Sequence, residues 1–222
     1  MWLLFVFFIM MIKTSRIYYF FSIFLIPFFL FSQEKEYQAW NNLELEYKFI
    51  SDVKLLLEGG VRYDFVSAQT IKYFSDFAIQ KKHNKSFSYA IGYRYALTSD
   101  RDVQNRLYSD FCYKYKLQGN FRIISRSRFQ IQKNSLDLFI NKIRQKIKLN
   151  FNMKELNIDL FGSVEGFYIV QEKFEKIRCV IGLKCLVAKS TNLGVSFMMQ
   201  QDVKIDSKNV LLAVRAKMSH SF

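Results

Sequence analysis

The 222-residue chain is short of the side chains that most often carry chemistry. It holds two histidines, His83 and His220, and three cysteines, Cys112, Cys179 and Cys185. No Cys-x-x-Cys or Cys/His cluster is present, so metal ligation has no support and no cofactor is expected. Cys179 and Cys185 stand six residues apart in one strand-like run, roughly 20 Å when extended, which is too far for a bridge without breaking the strand. Proline occurs once. From Trp40 onward there is no convincing amphipathic helix, and no apolar stretch of the roughly 20 residues that a transmembrane helix needs.

What is abundant is aromatic and charged at once. Half of the residues are hydrophobic, 18% are aromatic, with 24 Phe and 13 Tyr, and 23% are charged. A soluble protein needs a large core to hide so many rings. A transmembrane barrel instead sets them on its lipid-facing wall and in its aromatic girdles.

The N-terminus holds two apolar blocks, Met1–Ile12 and Ile17–Phe31, separated by Lys13-Thr14-Ser15-Arg16. The second has the order of a secretory signal, so residues 1–32 are expected to be a signal peptide cut between Ser32 and Gln33, despite Leu30 three residues before the cut. The first block is superfluous to that signal. Residues 1–10 read as an upstream start artefact, with Met10 or Met11 the more ordinary start. Neither block reaches the length of a membrane span, and no cysteine marks a lipid-anchored cleavage product. Residues 33–222 are then one domain.

In Ser86–Tyr95, large apolar residues (Phe87, Tyr89, Ile91, Tyr93, Tyr95) occupy every odd position and small or charged ones every even position. Successive side chains of a strand point to opposite faces, so this is a ribbon with one greasy and one polar face. The same period returns in Trp40–Phe49, Val53–Asp64, Ile71–Gln80, Arg106–Leu117, Phe121–Gln132, Ile140–Phe151, Leu156–Tyr168, Phe174–Ala188, Leu193–Val203 and Val210–Phe222. Short turn signals such as Gln118-Gly119-Asn120 separate them. The fold class expected is all-β, an up-and-down antiparallel transmembrane barrel of about 10–12 strands. Eleven runs conflict with the even count usual in bacterial single-chain barrels. Either Trp40–Phe49 is a lumenal or periplasmic segment, giving ten, or an irregular strand makes twelve.

The alternation also suits a soluble exported β-sandwich binding protein, with the two faces exchanged. The barrel is preferred because the runs are long enough to cross when tilted, the chain carries an export signal, and it ends in an aromatic residue. Phe222 resembles a C-terminal signal for recognition by the barrel-assembly machinery, although His220 stands where an apolar residue is usual. The expected location is the outer membrane of a Gram-negative bacterium, with outer-membrane lipid as a partner.

Several motifs together resemble the uncharacterised family called domain of unknown function 2490. They are Ala39-Trp40, Gly60-Val61-Arg62-Tyr63, Ile91-Gly92-Tyr93-Arg94-Tyr95, Gln104-Asn105-Arg106-Leu107, Arg126-Ser127-Arg128-Phe129, Ile143-Arg144-Gln145-Lys146 and Lys176–Leu183. The resemblance covers about residues 38–222. It implies an outer-membrane β-barrel of unknown role and supplies no catalytic residues.

The formal charge is +14, or +12 without Lys13 and Arg16. The basic residues are spread over most strands and form no single patch, which excludes a nucleic-acid partner. The candidate site is a lumenal basic cluster of Arg122, Arg126 and Arg128 on one strand and Arg144, Lys146 and Lys148 on the next. Two readings stay open. Glu58, Asp64, Asp76, Asp110, Asp159 and Glu165 could pair with the basic rows and plug a narrow barrel. Alternatively the lumen is a basic conduit or vestibule for small anionic solutes, since rings of Arg and Lys select anions. An outer-membrane enzyme acting on lipid or peptide is a further class. His83 and His220 both fall at the periplasmic end, however, so a Ser–His or Asp–His mechanism lacks its base at the outer rim, and no enzyme is expected.

Overall fold

Period-two alternation bounded by turn residues leaves each run one way to bury its backbone polar groups, by pairing with the next run. The computed structural model describes residues 35–133, 139–170, 174–203 and 209–222. They form eleven strands: β1 (Lys35–Ile50), β2 (Val53–Asp64), β3 (Gln69–Lys82), β4 (Phe87–Thr98), β5 (Val103–Lys116), β6 (Phe121–Lys133), β7 (Phe139–Met153), β8 (Ile158–Ile169), β9 (Phe174–Ala188), β10 (Thr191–Asp202) and β11 (Val210–Ser221). Each strand pairs antiparallel with its successor, and β11 closes onto β1. Residues 1–34, and with them the expected signal peptide and its cleavage point, lie outside the described residues.

The count of eleven falls within the expected 10–12 strands and equals the eleven runs, and the parity expectation of ten or twelve is corrected. Trp40–Phe49 is neither a lumenal nor a periplasmic segment. It lies within β1 and is hydrogen-bonded on both sides, to β2 and to β11. An up-and-down path of odd count brings its last strand back pointing the same way as its first, so the closing pair has to be parallel. The register shows this, with Lys35 beside Val210 and Glu46 beside Ser221. The Phe222 N–H donates to the Glu46 carbonyl at 2.9 Å. Lys35 and Phe222 therefore lie at opposite rims.

The rim of Phe222 also carries the tight β1–β2 turn and the turn containing His83, where the Lys82 N–H donates to the Asp52 carbonyl. The β5–β6 turn at this rim contains Gly119 at φ 73, a left-handed conformation that glycine adopts without a Cβ clash. At the opposite rim Asp64 caps the β2–β3 turn, accepting from the Ser67 hydroxyl at 2.7 Å and from the Ser67 and Val66 amides. Asp64 was a candidate for pairing in the lumen; it serves this turn instead.

The apolar face points outward. In β4, Tyr89, Ile91, Tyr93 and Tyr95 are exposed, whereas Ser88, Ala90 and Ala96 are buried. A sandwich would bury the tyrosines, so the soluble alternative is overturned. The belt is graded. Ile91, Leu107, Phe129 and Ile147 lie at mid-height. Tyr47, Tyr113 and Tyr115 approach the Phe222 rim, and Tyr37, Tyr73 and Tyr95 the other. Strands of 12–16 residues, rising about 3.3 Å per residue and tilted by ~35–45°, cover the ~25 Å apolar band of such barrels. The molecule is a transmembrane barrel.

Candidate functional site: a charged lumen

The inward positions of all eleven strands surround one cavity of about 490 Å³. Among the described residues thirteen basic and six acidic side chains line it, an excess of seven positive charges. A small apolar cluster of Trp40, Val180, Met198, Leu211 and Ala213, with Phe161 against it, fills part of the wall near the β1–β11 closure.

The acidic residues are knots that tie neighbouring strands. Glu165 on β8, only 3% exposed, accepts from Arg126 of β6 at 2.7 Å and from Arg144 of β7 at 2.8 Å, and faces Arg178 of β9 at 3.5 Å. One carboxylate on β8 thus serves three guanidinium groups, on β6, β7 and β9, and ties four successive strands. Asp110 on β5 binds Arg128 through both oxygens, at 2.6 and 2.7 Å. Asp76 on β3 takes the Arg94 Nε at 2.6 Å and the Tyr108 hydroxyl. Tyr108 has to cross β4 to reach Asp76, and it crosses over Gly92, where a Cβ would run into the Tyr108 ring. The Arg128 guanidinium then stacks on Tyr108 at 3.7 Å. On the seam, Lys217 of β11 reaches Glu44 of β1 at 2.7 Å and Glu58 of β2 at 3.6 Å. Glu175 on β9 binds Lys142 of β7 at 2.8 Å, bridging across β8. Asp159 accepts from the Asn152 amide.

The six expected basic positions separate into different environments. In register, Arg126 opposes Lys146 and Arg128 opposes Arg144, whereas Arg122 opposes Asn150 and Lys148 opposes Ile124. Arg126, Arg128 and Arg144 are ion-paired as described. Lys146 lines the cavity without a carboxylate within 4.0 Å among the described residues. Lys148 lies over Phe161 at 4.0 Å and Arg122 is exposed near the Phe222 rim; neither lines the cavity. The two rows are therefore not one open cationic surface, because three of their members are bound to Glu165 or Asp110. Phe222 itself is 70% exposed, with its ring 4.5 Å from that of His220. His220 Nδ1 lies 2.8 Å from the Thr191 hydroxyl.

Sequence reasoning missed Trp40 as a lumenal residue. Its indole is buried, its Nε1–H donates to Gln38 at 2.8 Å, and Arg62 lies over the ring at 3.8 Å, with Arg178 and Arg215 at 5.3 and 5.5 Å. The signal was its parity: Trp40 shares a face with Gln38, Asn42 and Glu44, not with Leu43 and Leu45. Also outside the expected cluster were Arg62, Lys72 and Arg106, which sit on polar faces nearer the Lys35 rim.

A family model described as "Protein of unknown function (DUF2490)" matches residues 37–210. No protein of curated function matches the chain. Among solved structures, the chain is similar to a bacterial polysaccharide outer membrane secretin, with 7% identity and a TM-score of 0.51, over 78% of this chain and 63% of that one. It thus spans less than two thirds of that relative's length. It is also similar to the KdgM porin in complex with disordered oligogalacturonate, with 11% identity, a TM-score of 0.48, and 75% and 91% of the two chains covered. An anion-selective porin from Comamonas acidovorans matches with 12% identity, a TM-score of 0.40, and coverage of 73% and 54%. The family match takes in most of the closed sheet, and the chain belongs to the DUF2490 family of proteins of unknown function.

Proposed function

We propose that this protein is an outer-membrane barrel of a Gram-negative bacterium that binds small anionic solutes in its lumen, or passes them to a limited extent. The observation that carries this reading is the charge of the cavity wall, thirteen basic against six acidic side chains among the described residues, around about 490 Å³. A focused positive potential concentrates anions and excludes cations. The apolar belt is the surface that outer-membrane lipid would cover, and the β11 end at Phe222 is the element offered to the barrel-assembly machinery. Export by a signal cut between Ser32 and Gln33 is part of the same proposal, and the N-terminal residue of the mature protein checks it directly.

Planar-bilayer recording under a salt gradient tests the solute reading. A small conductance with a reversal potential on the anion side is expected. A cation preference would remove the basic-lumen reading. Silence in the bilayer, together with no binding of anions to the purified barrel, would leave a purely structural protein.

A further inference from the structure

Most guanidinium groups of the lumen meet a carboxylate. Among the described residues five lining cations do not, Arg62, Lys72, Arg106, Lys146 and Arg215, and the first three sit together in the half of the lumen nearer the Lys35 rim. Arg62 on β2 stands directly opposite Lys72 on β3. On β4, Thr98 stands opposite Lys72 and the small Ala96 opposite Gln104, and Arg94, paired with Asp76, stands opposite Arg106. Arg106 follows on β5. Among the described residues no carboxylate lies within 4.0 Å of any of the three. Their polar contacts are to neutral amides: Lys72 donates to Gln104, and Arg106 Nη2 donates to Gln132 at 2.9 Å. Arg62 lies over the Trp40 ring at 3.8 Å. The Nε atoms of Arg62 and Arg106 are buried without a hydrogen-bond partner.

Neutral acceptors orient these donors and leave their charge uncompensated. Like charges held in adjacent strands repel, and a partly desolvated cation without a counter-charge is costly. Such an arrangement is strained alone and relieved by an anion with several charged oxygens. We propose that Arg62, Lys72 and Arg106 form a binding site for a small multivalent oxyanion, carrying carboxylate or phosphate groups, in the Lys35-side half of the lumen. The site rests on the basic-lumen reading and locates it away from Arg126, Arg128 and Arg144, whose guanidinium groups Asp110 and Glu165 already engage. Arg62 and Arg106 present forks suited to bidentate contact with either oxyanion type, and Lys72 adds a point charge.

Trp40 makes the test direct. With Trp2→Phe in the full chain, Trp40 is the sole indole, and it touches Arg62 but not Lys72 or Arg106. Citrate and tripolyphosphate are titrated separately into the purified barrel, with glucose as the uncharged control. A saturable change in Trp40 emission is expected for at least one anion, and which one responds separates carboxylate from phosphate chemistry. Lys72→Gln and Arg106→Gln should each weaken that binding at least tenfold. Both should keep the heat-modifiable gel shift of the folded barrel at an unchanged or higher unfolding temperature, because each removes a repelling charge. Unaltered binding in both variants, with loss in Lys146→Gln, would overturn this site and leave the basic-lumen reading standing. Absence of any saturable response in the parent protein would overturn the site, and a cation preference in the bilayer would then remove the broader reading too.

Discussion

Replacing Glu165 by glutamine probes how dry the lumen is. The carboxylate is 3% exposed and lies 2.7 Å from Arg126, 2.8 Å from Arg144 and 3.5 Å from Arg178. Glutamine keeps the shape and one acceptor oxygen but removes the negative charge from among three guanidinium groups. Where ions are withheld from water, breaking such a knot costs ~3–5 kcal/mol, because the partners stay buried and uncompensated. Where water reaches the pairs, each bridge is worth only ~0–1 kcal/mol. The low exposure of Glu165 places it in the first regime. Arg126 softens the loss slightly, since Asp110 lies 3.9 Å from it. We expect Glu165→Gln to lose about 3–4 kcal/mol, a factor of ~10² to 10³ in the folding equilibrium. Equilibrium urea unfolding in lipid vesicles, followed by Trp40 emission and by the gel shift of the folded barrel, measures it. Glu155→Gln, on the short turn between β7 and β8, is the exposed control and should change nothing. A loss below about 1 kcal/mol would refute the reasoning and describe the centre of the barrel as a hydrated channel.

Other consequences are as open to measurement. Gly92→Ala drives a Cβ into the Tyr108 ring and to 2.9 Å from the Ala78 Cβ, which should cost ~1–3 kcal/mol as overpacking; adding Tyr108→Ala should recover part of the gel-shift midpoint, and no recovery would place the clash elsewhere. Ile91→Arg at mid-belt should lose ~2–4 kcal/mol in vesicles and Tyr115→Arg near the rim only ~0–1, so equal penalties would contradict the position of the belt. Parallel pairing is slightly weaker per residue than antiparallel pairing. Amides shared between β1 and β11 should therefore exchange with deuterium sooner than those between β6 and β7, and the reverse order would show that the Lys217–Glu44 link outweighs the pairing difference.

The outward and inward faces were legible in the sequence because a period of two leaves no freedom: once Tyr93 faces lipid, Gly92 and Arg94 cannot. The strand runs were legible too, mostly within three residues at either end. Parity was misjudged where a rule of thumb outweighed the residues, for Leu43, Leu45, Tyr47 and Phe49 alternate as cleanly as any later strand. The pairing inside the lumen was not legible. Which carboxylate meets which guanidinium depends on the stagger between strands, and stagger is fixed by turn geometry and closure, not by alternation. Arg126 and Arg128 are two residues apart, yet one turns mainly to Glu165 on β8 and the other to Asp110 on β5. Arg62 and Lys72 drew no special notice in the sequence, since only the β2–β3 register sets them side by side.

The parallel closure has a consequence for how such a molecule is put into a membrane. A barrel with an even number of staves begins and finishes on the side from which it was delivered, and neither end of its chain ever has to travel. Eleven crossings break that economy. With the Phe222 rim on the delivery side, Lys35 stands on the far side, and the start of β1 has to be carried over before the ring seals. Insertion in that orientation is also a small act of translocation, and tags at Lys35 and after Phe222 would report from opposite faces of the membrane.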